Sequence, residues 1–261
     1  MTALRARKRF GQHFLHDANV IRRIADAIDP QPGDAVVEIG PGHGVLTQQL
    51  LSRVSHLRAI EIDRDLVREL RERFAPPSLE VIEADVLDVD FRALRGAGPL
   101  LRVAGNLPYN ISTPLLFHLL SYREAIRDMH FMLQREVVER MAAPPGGKAY
   151  GRLTVMLAPW VEIEPLFHVS AGSFRPPPRV ESTVVRLIPR AQPGFELADP
   201  RTFDQVVRAA FAQRRKTLRN ALRTLVSPEV FAALCIDPGA RPETLAPAQF
   251  AQLARAIQPT G

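Results

Sequence analysis

The chain has 261 residues, 46% of them hydrophobic and 24% charged, with 34 Lys and Arg against 28 Asp and Glu for a net charge of +6. These proportions exclude wholesale disorder, a fibrous repeat and a histone-like charge coat, and the length suits a large domain alone or with a small one. A single cysteine, Cys235, excludes an intramolecular disulfide and a cysteine-built zinc site, so no metal is expected.

Asp17 is placed to cap a helix whose apolar positions Val20, Ile21, Ile24, Ala25 and Ile28 recur at helical spacing, ended by Asp29-Pro30. Next come a strand over 35–39, a Gly-rich turn, a helix over 45–51 and a strand over 57–62. The alternation continues with a helix over 64–74, strands over 79–82 and 101–104, a helix over 114–120, a strand over 128–133 and a helix over 134–141. Short apolar strands alternating with helices predict an α/β fold, a parallel sheet with helices on both faces. After the loop at Pro144-Pro145-Gly146-Gly147, a helix over 152–158 and two late strands, 161–169 and 183–188, read as an antiparallel closing pair. A Pro/Gly-containing linker at 191–200 divides the chain into domains 1–190 and 191–261. Beyond it every apolar period is helical, over 203–212, 214–225, 228–234 and 247–256. The longest apolar stretches are about half a membrane span and no apolar run follows the basic start, so a soluble, intracellular protein is expected.

The charge is unevenly placed. Residues 1–23 carry six cations and one anion, residues 208–223 six cations and none, while 24–207 hold 20 cations against 24 anions. Two basic patches flanking an acidic body suggest localised contact with a polyanion, since cations release condensed counterions where they line up along phosphates. Either run alone also reads as a solvated surface.

Glu38-Ile39-Gly40-Pro41-Gly42-His43-Gly44 lies at the first strand-to-helix turn, where glycines admit a ligand to the backbone and the next helix offers free N–H groups. Its Gly-x-Gly-x-Gly spacing departs from the dinucleotide pattern Gly-x-Gly-x-x-Gly and is similar to motif I of S-adenosylmethionine-dependent methyltransferases. Glu61, ending the second strand, is placed to accept ribose hydroxyls. Asp85, after the third, can accept from an adenine amino group or simply start a turn.

Asn106-Leu107-Pro108-Tyr109 follows the fourth strand. Methyl transfer to an exocyclic amine needs its lone pair aimed at the methyl carbon. Asn106 and the carbonyl of Leu107 or Pro108 can accept its two N–H groups, Pro108 stiffens the turn, and Tyr109 can stack on the base.

Five stretches together resemble the ribosomal RNA adenine dimethyltransferases, nearest the bacterial small-subunit KsgA/RsmA type. They are 7–15 (Arg7-Lys8-Arg9-Phe10-Gly11-Gln12-His13-Phe14-Leu15), 37–42, 105–114, 174–180 (Phe174-Arg175-Pro176-Pro177-Pro178-Arg179-Val180) and 211–220. The resemblance implies a Rossmann-like methyltransferase domain with a small all-α C-terminal domain. It implies a monomeric cytoplasmic enzyme that uses S-adenosylmethionine, releases S-adenosylhomocysteine, and dimethylates N6 of two adjacent adenosines near the 3′ end of small-subunit rRNA in an assembling 30S particle. Carried onto this sequence, His13, Leu15, Gly40, Glu61, Asp85 and Asn106 contact the cofactor. Asn106, Pro108, Tyr109 and Phe174 hold the base, Phe174 stacking on its second face. Arg7, Lys8, Arg9, Arg214, Arg215, Lys216 and Arg219 contact RNA, the last four at the start of a helix. His13 departs from the family, whose members often carry Asn there. A large-subunit dimethylase conferring antibiotic resistance, a non-catalytic ribosome-assembly factor and a dinucleotide oxidoreductase are the alternatives.

Overall fold

The computed structural model describes residues 12–108, 111–213 and 215–257. The chain runs β1 (Phe14–Leu15), α1 (Ala18–Ile28), β2 (Ala35–Ile39), α2 (Val45–Leu51), β3 (Leu57–Glu61), α3 (Arg64–Arg73), β4 (Leu79–Glu83), α4 (Phe91–Arg95), β5 (Leu101–Asn106), α5 (Ser112–Ser121) and β6 (Ile126–Gln134). There follow α6 (Arg135–Met141), α7 (Arg152–Leu157), β7 (Val161–Val169), β8 (Phe174–Arg175), β9 (Ser182–Pro189), α8 (Pro200–Phe211), α9 (Leu218–Ala221), α10 (Pro228–Ala233) and α11 (Pro247–Ala256).

Seven strands form one sheet in the order β4-β3-β2-β5-β6-β9-β7. The five from β4 to β6 are parallel, and β9 runs antiparallel to β6. Ion pair Arg186–Glu164 and hydrogen bond His168–Thr183 run in opposite order along β9 and β7, so those strands are antiparallel, as the sequence predicts. Parallel strands are covered on both faces, which is why Val36, Val37, Ile39, Leu57, Ala59 and Ile60 are all buried. The chain winds outward from β2 in both directions, through β3 to β4 and, returning across, through β5 to β6. The crevice between the C-terminal ends of β2 and β5 is therefore the topological switch point where α/β sheets bind ligands.

The opposite end of the sheet is pinned by Arg102 on β5. Its Nε and Nη2 donate to Asp128 on β6 at 3.0 and 2.9 Å, and Nη1 donates to Asp34 at 2.9 Å. The same guanidinium donates to the Ile28 and Asp29 carbonyls at the end of α1, where a cation also complements the helix dipole. Asp17 caps the other end of α1 by accepting from the Asn19 and Val20 N–H groups, as its sequence position predicts.

The chain separates into two compact units, residues up to 138 with Ile163–Pro189, and Glu139–Glu162 with everything from Arg190 onward. The second unit is built around Phe203, Val206, Val207, Leu218, Leu222, Phe231 and Phe250. Tyr150 and Val155 pack into the same core, and Tyr150 Oη donates to the Leu245 carbonyl at 2.7 Å. Segment 139–162 thus belongs with the C-terminal helices rather than with 1–190; its apolar positions carry no mark of which core receives them. The expected helix over 214–225 is cut to Leu218–Ala221. Leu218 and Arg219 N–H donate to the Ala240 and Pro238 carbonyls, so a loop takes the donors an earlier helix turn would use. Arg215 and Lys216 precede this helix instead of starting it; Arg214 lies outside the described residues.

Candidate active site

A cavity of about 730 Å³ opens over the C-terminal ends of β2, β3, β4 and β5. That is ample for a nucleoside-sized ligand. Its floor is the turn after β2, where Gly40, Gly42 and Gly44 all have positive φ. Gly42 is also hemmed in, since a Cβ there would lie 3.1 Å from the Phe14 ring. His43, in the same turn, lies against Phe14 with centroids 4.4 Å apart and places Nδ1 2.9 Å from Glu69 Oε1 on α3.

Three carboxylates face this cavity. Glu61, ending β3, accepts at Oε1 from the Ile62 and Asp63 N–H groups, both at 2.9 Å, and at Oε2 from Gly42 N–H at 3.4 Å. Burial raises its pKa while those three N–H groups oppose the rise. One oxygen is thus held rigidly and the other is lightly engaged, an acceptor ready for a ligand hydroxyl. Glu38, ending β2, is buried and pushed up to about 7 by desolvation, against the Thr47 hydroxyl that donates to it at 2.6 Å. The charge of Glu61 adds to that rise. Asp85 starts a 3-10 turn by accepting from Leu87 N–H at Oδ1, and it also lines the cavity.

At the β5 end stand Asn106, Leu107 and Pro108. Asn106 Nδ2 donates to the His13 carbonyl at 3.0 Å. The Pro108 carbonyl accepts from Ile111 N–H, whereas the Leu107 carbonyl accepts from none of the described residues. Asn106 and Leu107 from the end of β5 thus line the same cavity as Glu61 and Asp85.

Residues 3–259 match the family described as ribosomal RNA adenine dimethylase. The chain belongs to that family. A similar curated protein is Ribosomal RNA small subunit methyltransferase A of Nitrosococcus oceani, 56% identical over 252 residues, which cover 96% of each chain. A solved dimethyladenosine transferase from Plasmodium falciparum is 28% identical with a TM-score of 0.78, covering 92% of this chain and 96% of that one. The 23S rRNA methyltransferase ErmE is 28% identical with a TM-score of 0.74, covering 94% and 99%. The α/β unit of the dimethylase is accordingly a Rossmann-like methyltransferase fold.

The dimethylase brings His13, Leu15, Gly40, Glu61, Asp85, Asn106 and Pro108 to one cavity. Tyr109, Arg7, Lys8 and Arg9 lie outside the described residues. Phe174 does not line this cavity: it is 2% exposed in the core with Leu15, Ile24 and Val169, and the cavity is lined by its neighbours Arg175 and Pro176. Its ring is anchoring β8 in this structure, a role its apolar character already allowed. Sequence reasoning also missed Ile62, Val86 and Met132 at the cavity wall. Ile62 alone carried a signal, being an apolar residue directly after the strand-ending acid, and it is 45% exposed where its strand neighbours are buried. Arg215, Lys216 and Arg219 are exposed in the second unit and form no ion pair with described residues, as does Arg223.

Proposed function

We propose that this dimethylase transfers two methyl groups from S-adenosylmethionine to N6 of each of two adjacent adenosines near the 3′ end of small-subunit rRNA, within an assembling 30S particle. The observation that carries this reading is one cavity holding Glu61 and Asp85 at one end and Asn106 with the Leu107 carbonyl at the other. The name borne by its 51–56% identical relatives supports the small-subunit substrate over the large-subunit one.

The residues present fit that cofactor. Gly40, with positive φ and only the Asn106 carbonyl oxygen near its missing Cβ, leaves the backbone open to a ligand, Glu61 Oε2 can accept from a ribose, and Asp85 with Ile62 and Val86 suits an adenine. When bound, S-adenosylmethionine supplies a methyl group made electrophilic by its sulfonium. The adenine N6 lone pair is conjugated with the ring and must be turned out of it. Asn106 Oδ1 and the Leu107 carbonyl, accepting the two N–H groups, favour that rotation, and Pro108 holds the turn. The N6 proton becomes acidic only once attack has begun, so alignment and hydrogen bonding suffice without a strong base.

Arg215, Lys216 and Arg219 supply phosphate contacts, exposed and without carboxylate partners among the described residues; Arg7, Lys8, Arg9 and Arg214 extend them by sequence. The protein acts as a cytoplasmic monomer and releases S-adenosylhomocysteine; no helix among the described residues is long and apolar enough to cross a membrane. The test is radiolabelled methyl transfer to small and large subunits lacking the modification, followed by nucleoside analysis. Dimethyladenosine in small-subunit RNA is expected; product confined to large-subunit RNA, or none, overturns the reading.

A further inference from the structure

The segment 12–17 crosses the mouth of the cavity as a strap fastened at both ends. Gln12 Nε2 donates to Asp63 Oδ2 at 3.2 Å, near the Glu61 end. Phe14 and Leu15 pair with Arg175 and Phe174, His16 N–H donates to the Ser173 carbonyl at 3.0 Å, and Ser173 Oγ donates to Asp17 at 3.2 Å. Between these fastenings, His13 reaches two described residues, Asn106 and Pro176. Its backbone carbonyl accepts from Asn106 Nδ2 at 3.0 Å, and its ring Nδ1 lies 2.7 Å from the Pro176 carbonyl.

A carbonyl oxygen can only accept. Nδ1 of His13 therefore carries its hydrogen and donates to Pro176, and the Asn106 group facing the strap is its NH2. The amide is planar, so Oδ1 is turned away from the strap. The opposite rotamer would set Oδ1 against the His13 carbonyl, two acceptors about 3 Å apart with no proton between them. An adenine N6 amine offers N–H donors to its neighbours, so only the orientation held by the strap lets Asn106 present an acceptor to it beside the Leu107 carbonyl.

We propose that His13 is the positioning residue for Asn106: its carbonyl sets the amide with Oδ1 towards the substrate amine, and its ring, by donating to Pro176, holds that carbonyl in place. This rests on the reading that Asn106 receives an adenine N6. It also gives the imidazole a task distinct from touching the cofactor, and a side chain with an N–H donor of similar reach can perform it.

The experiment compares wild type, His13→Asp and His13→Asn in methyl transfer to unmodified small subunits, with cofactor and subunits each varied to saturation. Asp has no donor at neutral pH, so kcat should fall about tenfold, as for losing one well-placed hydrogen bond. His13→Asn should recover kcat to within about threefold. A second readout is the Asn106 side-chain NH2 resonance pair in the protein without ligand, which should shift in His13→Asp and return in His13→Asn. His13→Leu replaces the Asp variant should that chain not fold. Wild-type kcat with only a raised KM for S-adenosylmethionine in His13→Asp overturns the inference, as does an equal loss of kcat in His13→Asn. If wild type itself methylates neither subunit, the proposed function fails instead, and the Asn106 resonances still decide the inference.

Discussion

The Thr47 hydroxyl of α2 donates at 2.6 Å to the Glu38 carboxyl at the end of β2, deep under the glycine turn. Desolvation pushes Glu38 up to about 7, from an ordinary value of 4.5. Between those values the folded chain holds a proton that the unfolded chain has released. Stability without ligand should therefore be greatest below about pH 4.5 on this account and fall by up to ~1.4 kcal/mol per pH unit as pH rises to about 7. Urea denaturation from pH 4.5 to 8 checks it: Glu38→Gln, which can still accept from Thr47, should lose this downward component. An unchanged pH profile in the variant would mean Glu38 is ionised throughout.

His130 on β6 contributes the opposite slope. Its ring is buried, the nearest Asp128 oxygen lies 3.8 Å from Nδ1, and burial pulls the imidazole down to about 4. Here the unfolded chain binds the proton first, so stability rises as pH climbs from about 4 to 6.5. In wild type the two slopes oppose each other between about pH 4.5 and 6.5. His130→Leu should remove the rising part and make stability fall more steeply with pH across that window; a variant with the wild-type profile would refute the pairing of effects.

The parts of the site legible in sequence were those with local grammar. A Gly-rich turn after an apolar run, an acid at a strand end and Asn106-Leu107-Pro108 after β5 each declare their position, and the sheet brings them together. Strand β8 has two residues and no period to read, so its pairing with β1, and hence the strap over the cavity, is purely a tertiary matter. Phe174 shows the same limit: an aromatic in a motif reads equally as a stacking platform or as core, and only packing decides. The shortening of α9 likewise depends on the Pro238 and Ala240 carbonyls, some 20 residues away in sequence.

Arg175 is exposed at the cavity mouth, beside Pro176, and pairs with no carboxylate among the described residues. An unpaired guanidinium there suits a phosphate of the RNA that presents the target base. Arg175→Ala should weaken RNA binding and lower the salt slope of log K by roughly 0.7–0.9, one phosphate's worth. Cofactor affinity by calorimetry should stay within about twofold. A matching loss of cofactor affinity with an unaltered salt slope would instead assign the guanidinium to the cofactor's carboxylate.

Gly105 on β5 stands opposite Ile39 on β2, at the switch point itself. A Cβ at Gly105 would lie 2.4 Å from the Ile39 carbonyl oxygen, and this contact is backbone, with no flexible tip to swing aside. Gly105→Ala must therefore part the two strands that carry Gly40 and Asn106. Overpacking of this kind costs about 1–3 kcal/mol. The damage should extend to kcat, because Asn106 is the next residue and, on the proposed function, its amide must hold its distance from both strap and substrate. Gly151→Ala is the control: its Cβ would meet nothing within 4 Å, so stability should stay within about 0.5 kcal/mol of wild type. Measured together by urea denaturation and methyl transfer, a Gly105→Ala chain as stable and active as the control would show that β2 and β5 have slack at the point where the cavity opens.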